Sequence, residues 1–173
     1  MANPMTEWVA IAAISPGQLR LVFRHAGMLS ILSSISWAAG QLMFAPPRNP
    51  WLAFLVLALE TFAFYAVSIV LLGLSLTALM PMYGANRDAG RAMVLAGFGA
   101  TPLLVCGLLN FYPLLAIVTV MAVPLAGYQL HVGAQIVAGV RPGDAAEFVV
   151  ASMVLATFAS IAAGGVLASM GLL

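Results

Sequence analysis

The chain has 173 residues, of which 64% are hydrophobic and 6% charged, with a net charge of +1 and one cysteine. A soluble domain carries about a quarter charged residues, so this composition excludes one, and it offers no basic surface for nucleic acid. The lone Cys106 excludes an intrachain disulfide, and several long uncharged runs make the chain a polytopic membrane protein with room for roughly four to six spans.

Residues 1–14 read as a short helix capped at Thr6, too short to cross a bilayer, with Trp8 suited to the membrane interface. Glu7 as the first charge and the brief apolar run 8–14 argue against a signal peptide. Ser15-Pro16-Gly17 restarts the chain, with Ser as N-cap and Pro at the first helical position. Arg20 and Arg24, four apart, share one face of an amphipathic lead-in to a first span over 26–44. Three prolines within 45–50 stop that span, because proline has no backbone N–H with which to continue a helix. The second span, 51–80, is longer than the hydrocarbon core requires and must tilt or project.

After a polar connection at 81–91, the segment 93–133 runs for 41 residues without a formally charged side chain. Asn110-Phe111-Tyr112-Pro113 divides it into a membrane hairpin, with spans over 92–110 and 113–137, each bearing an internal proline, Pro102 and Pro124. Such prolines kink membrane helices when neighbours satisfy the freed carbonyl. A second polar connection, 138–147, leads to a fifth span over 148–171. The expected fold is therefore all-α: a cytoplasmic interfacial lead-in, 1–25, and a single five-span helical bundle, 26–173. Arg20, Arg24, Arg87, Arg91 and Arg141 fall on the N-terminal side of such a bundle and Arg48 on the other. By the positive-inside rule the N-terminus is then cytoplasmic.

The order Tyr83-Gly84, Arg91-Ala92-Met93, Thr101-Pro102-Leu103-Leu104, Gly107-Leu108-Leu109-Asn110, Pro113, Tyr128 and Gly133 resembles the Yip1 domain family of five-span membrane proteins, prokaryotic type. Ser15-Pro16-Gly17 is similar to the segment before span one in those members. The resemblance covers about residues 15–172 and marks Pro102, Pro113, Tyr128 and Gly133 as motif positions. It implies a five-span fold. Binding of Rab GTPases, a property of eukaryotic members with a long cytosolic N-terminal region, is not expected. An Arg-only, Ala/Gly-rich composition points to the inner membrane of a bacterium with a GC-rich genome.

Glu60 is the one acidic side chain well inside a span, and an intramembrane carboxylate is costly and by default functional, as a proton or cation site. Its structural alternative is a carboxylic acid that is protonated, or hydrogen-bonded to a neighbouring helix, near the outer leaflet, with Gln41, Thr61 and Asn110 at similar depth. His25 and His131, both towards the cytoplasmic leaflet, form a haem site only if they face each other inside the bundle; isolated interfacial histidines are the commoner case. No other ligand spacing is present, so no cofactor or metal is expected. The ten methionines read as packing residues, and Cys106, in an apolar span, as inert. In span five Ser152, Ala156, Ser160, Gly164 and Ala168 recur every four residues as a small-residue ridge, fit to pack against span two or against another protein.

The resulting expectation is a non-enzymatic scaffold, assembly factor or accessory subunit of a membrane complex, with lipids and another integral membrane protein as partners. Two alternatives stand beside it: a small ion or solute channel or transporter centred on Glu60, and a haem-bearing electron-transfer subunit through His25 and His131.

Overall fold

The computed structural model describes residues 4–13, 19–44 and 47–169. Ser15-Pro16-Gly17, the last residues of the expected fifth span, and the side chains of Pro113 and Ala168 lie outside the described residues. The described elements are helices α1 (Pro4–Ala12), α2 (Leu19–Phe44), α3 (Pro50–Leu79), α4 (Ala89–Gly99), α5 (Thr101–Gly107), α6 (Ala116–Gly133) and α7 (Ala145–Ser169). Five stretches are long and apolar enough to cross a membrane: Leu19–Phe44, Pro50–Tyr83, Ala89–Phe111, Ala116–Ala138 and Ala145–Gly165. The protein is thus an all-α, multi-pass membrane bundle, and its spans follow the chain order expected from the sequence.

Local chemistry sets the helix ends. Asn49 caps α3 by accepting from Leu52 N–H at 3.3 Å, with Pro50 pre-set for the first turn. Asp88 does the same for α4, accepting from Arg91 N–H at 3.0 Å. Past α3 a 3₁₀ turn, Met80–Tyr83, closes on Gly84, whose φ of 75° is left-handed. The helix after Gly133 widens into a π turn, Ala134–Ala138, and ends on Gly139, also left-handed at φ 72°.

Two local expectations are corrected. The first helix begins at Pro4, so Thr6 lies inside it and does not cap it. Trp8 is 1% exposed and faces the bundle, not the interface: its ring fills the space over Gly133, where an added Cβ would come within 2.8 Å of it. An indole buries more apolar area against a glycine gap than against headgroups, which draws α1 onto α6 and the π turn. The Arg20–Arg24 lead-in forms the first turns of the 26-residue α2.

The hydrophobic core sits at one end of the bundle. Trp8, Val22, Leu76, Met80, Leu95, Leu130, Val137 and Phe148 bury one another there. Arg20, Arg24, Arg87, Arg91 and Arg141 are exposed at this same end, and Arg48 at the opposite one. Tyr83 stands edge-on to Phe148 at 5.5 Å and donates to Glu147 at 3.3 Å, tying the connection after α3 to the start of α7.

The other end is held by polar contacts. Pro102 stands in the first turn of α5, just after the break at Ala100 that divides span three, so the chain interrupts this helix instead of merely bending it. At Leu108–Phe111 the backbone tightens to 3₁₀, and Leu108 N–H turns to the carbonyls of Val105 and Cys106. That leaves Leu104 C=O without its helical partner, and Ser33 Oγ of α2 donates to it. One turn on, Tyr112 N–H turns to Leu109, and Ser36 Oγ donates to the freed Leu108 C=O at 2.6 Å. Gly40 admits the turn itself: a Cβ there would lie 2.6 Å from Phe111 O and 2.7 Å from Asn110 O. Unpaired carbonyls are costly in lipid, and two serines and a glycine of α2 remove that cost. Pro124, by contrast, lies inside an unbroken α6 with its side chain exposed.

Candidate functional site

At this polar end α3 lies on the flank of the bundle. Its buried residues, Gly73, Ser75, Leu76 and Thr77, all belong to its last third, and its most apolar stretch contains no fully buried residue. Glu60 is in that peripheral part. At about 1.5 Å per residue, Pro50–Tyr83 is about 50 Å long against a core of about 30 Å. Centred on the bilayer, it places Glu60 about 5 Å inside the hydrocarbon boundary.

There Glu60 lines a cavity of about 360 Å³ with Trp37 of α2, Thr61, Phe64 and Tyr65 of α3, and Asn110 of the 3₁₀ turn. The size is at the lower end of small-molecule sites. Asn110 is 6% exposed, and its Oδ1 accepts from Thr119 Oγ1 at 3.0 Å, with Tyr65 beside it in the cavity wall. Thr61 Oγ1 is occupied in its own helix, donating to Leu57 C=O at 2.7 Å. Glu60, in contrast, has no hydrogen bond or ion pair among the described residues. It also lines a narrower cleft of about 70 Å³ on the other side of α3, with Phe64, Ser68, Ser160 and Gly164.

Of the neighbours anticipated at the depth of Glu60, Thr61 and Asn110 share its cavity and Gln41 does not. Sequence reasoning missed Trp37, Phe64 and Tyr65. Phe64 and Tyr65 follow Glu60 and Thr61 by four residues and so share their helix face, a spacing that marks them from sequence. Trp37 comes from another helix, and its register against α3 has no local signal.

The other candidates fall elsewhere. His25 stacks on Phe98 at 4.9 Å and bonds Thr101 Oγ1 at 3.0 Å, bracing α2 against the break between α4 and α5. His131 Nε2 lies 3.0 Å from Gln135 Nε2 one turn along, while its Nδ1 is buried without a partner. The two rings therefore have separate partners, and no contact joins them among the described residues. No group of three His, Cys, Asp or Glu able to hold a metal ion occurs among those residues either.

The ridge of α7 faces α3. Ser152 and Ala156 are buried, Ser160 Oγ donates to Ser68 Oγ at 3.4 Å, and Gly164 lines the cleft beside Glu60. Gly133 seats Trp8, Tyr128 is exposed, and Cys106 is half-buried. The ion pairs Arg91–Asp88 at 3.4 Å and Arg141–Asp144 at 2.8 Å are exposed local pairs, each of little consequence for stability.

Comparisons with family models, with curated proteins and with solved structures found no match.

Proposed function

We propose that the protein is a non-enzymatic solute-binding channel or transporter whose operative group is Glu60. The observation that carries this reading is a membrane-embedded carboxylate on the wall of a cavity, with no hydrogen bond or ion pair from the described residues. Such a group is expensive to keep in a bilayer unless something enters to meet it. The 3₁₀ turn that ends span three and carries Asn110 into this cavity fits the same reading, since discontinuous helices line solute sites in many transporters.

The protein belongs, on this proposal, to the inner membrane of a bacterium, with the five-arginine end and the N-terminus cytoplasmic. The spacing of its motif residues supports a Yip1-type arrangement of the five spans. Glu60 then opens towards the outer leaflet.

The reading as scaffold or accessory subunit is favoured by the apolar row Trp51, Leu52, Leu55 and Leu59, exposed along α3 and able to meet a partner helix. The small-residue ridge that also motivated it is used inside the chain, against α3. We therefore place the Glu60 reading first. Purified protein in liposomes should pass small cations, and Glu60→Gln should abolish the flux while retaining the fold. Absence of flux from the wild type, together with a stoichiometric membrane partner in mild-detergent purification, would reverse the order.

A further inference from the structure

We infer that the Glu60 cavity is a site for an organic ammonium ion, either a soluble alkylammonium or the amine of a lipid headgroup. The inference rests on the reading of Glu60 as the operative group and names what that group meets.

The walls decide the class. One carboxylate, an indole, a phenyl ring and a phenol surround about 360 Å³, and no basic side chain is among them. A neutral apolar ligand would leave the carboxylate unpaired, and an anion would be repelled by it. A hard metal cation or sodium needs several oxygen ligands. The cavity offers one charged ligand, Glu60, beside two neutral oxygens on α3 and the Asn110 amide, whose Oδ1 already accepts from Thr119. That is a single carboxylate among aromatic faces. An ammonium ion carrying methyl or methylene groups uses both, the charge against Glu60 and the alkyl shell against Trp37, Phe64 and Tyr65.

The test is a titration of the full chain in phosphatidylglycerol nanodiscs with choline and with its neutral isostere 3,3-dimethylbutan-1-ol. Choline should bind saturably, and the neutral alcohol at least about tenfold more weakly, equivalent to ~1.4 kcal/mol. Glu60→Gln should weaken choline about tenfold and leave the alcohol unchanged, and Trp37→Ala should weaken choline comparably. Repeating the choline titration with phosphatidylethanolamine in the disc separates the sources. Competition by the lipid identifies a headgroup amine; unchanged affinity identifies a soluble ammonium.

Equal affinity for choline and its neutral isostere, or no saturable choline binding, overturns the inference, and the wild type alone decides this should a variant misfold. Choline binding without flux in liposomes keeps the ammonium site and removes the transport function. Glu60-dependent flux without preference for choline does the reverse.

Discussion

Two glycines of α2 provide a sharp test of how the polar end is built. Gly27 has open space around the position of an added Cβ, whereas at Gly40 that Cβ would stand 2.6 Å from Phe111 O and 2.8 Å from Phe111 C. Both are helical, so alanine should gain about 0.5–1 kcal/mol at either site through reduced backbone entropy of the unfolded chain. At Gly27 nothing opposes that gain. At Gly40 the turn must withdraw by about 0.8 Å to reach an ordinary contact of 3.4 Å, at an overpacking cost of about 1–3 kcal/mol. The upper part of that range applies because the obstacle is backbone, held by the Ser36–Leu108 and Asn110–Thr119 bonds. Gly27→Ala should raise the midpoint of thermal unfolding in mild detergent and Gly40→Ala should lower it. At about 2–4 °C per kcal/mol the two should differ by roughly 5–10 °C. Gly40→Ala should also weaken choline binding, because the displaced turn carries Asn110 out of the cavity wall. A Gly40→Ala protein as stable as Gly27→Ala would refute the close approach of α2 to this turn.

At the opposite end, Gly84→Ala should cost about 1–2 kcal/mol, since φ of 75° is unfavourable for a residue with a Cβ; Gly143→Ala, with open space around it, should leave the melting midpoint nearly unchanged. Ser33→Ala and Ser36→Ala each remove a donor to a carbonyl that the 3₁₀ turn has freed. Each should lower stability by about 0.6 kcal/mol, and at most ~1.7, with helical content by circular dichroism unaltered. Trp8→Ala should cost about 3–5 kcal/mol and make α1 more susceptible to limited proteolysis than in the wild type. A Trp8→Ala protein with unchanged detergent stability and protease resistance would return Trp8 to the interface.

How legible all this was in the sequence depends on the range of the signal. The five spans and the hairpin were visible because charge-free length and proline punctuation are local properties. Trp8 was misplaced. Its destination is a gap at Gly133, and which glycine faces which indole is decided by helix register. Glu60 was legible as an anomaly, since it is the one acid deep in an apolar run. Its cavity was half legible: Thr61, Phe64 and Tyr65 lie on adjoining positions of one helix, whereas Trp37 and Asn110 arrive from α2 and the 3₁₀ turn. Separation of the two histidines was not legible at all, because equal membrane depth says nothing about azimuth around the bundle.

The polar side chains of this bundle divide by what they satisfy. Ser34, Thr61, Ser75, Thr77, Ser152 and Thr157 donate to the carbonyl four residues earlier and need no other helix. Ser33, Ser36, His25 and Thr119 reach another element and meet a carbonyl, a hydroxyl or an amide there. Among the described residues Ser30 Oγ and His131 Nδ1 are buried without partners, and nothing in the structure explains them. Glu60 belongs to none of these groups. A hydroxyl left unpaired in lipid costs far less than an ionised carboxylate. At the same cavity the buried Asn110 amide is held by Thr119. Glu60 instead faces cavities on both sides of α3, with Phe64 common to both. Among the described residues the amide is paired and the acid is open, which is the contrast the proposed role of Glu60 rests on.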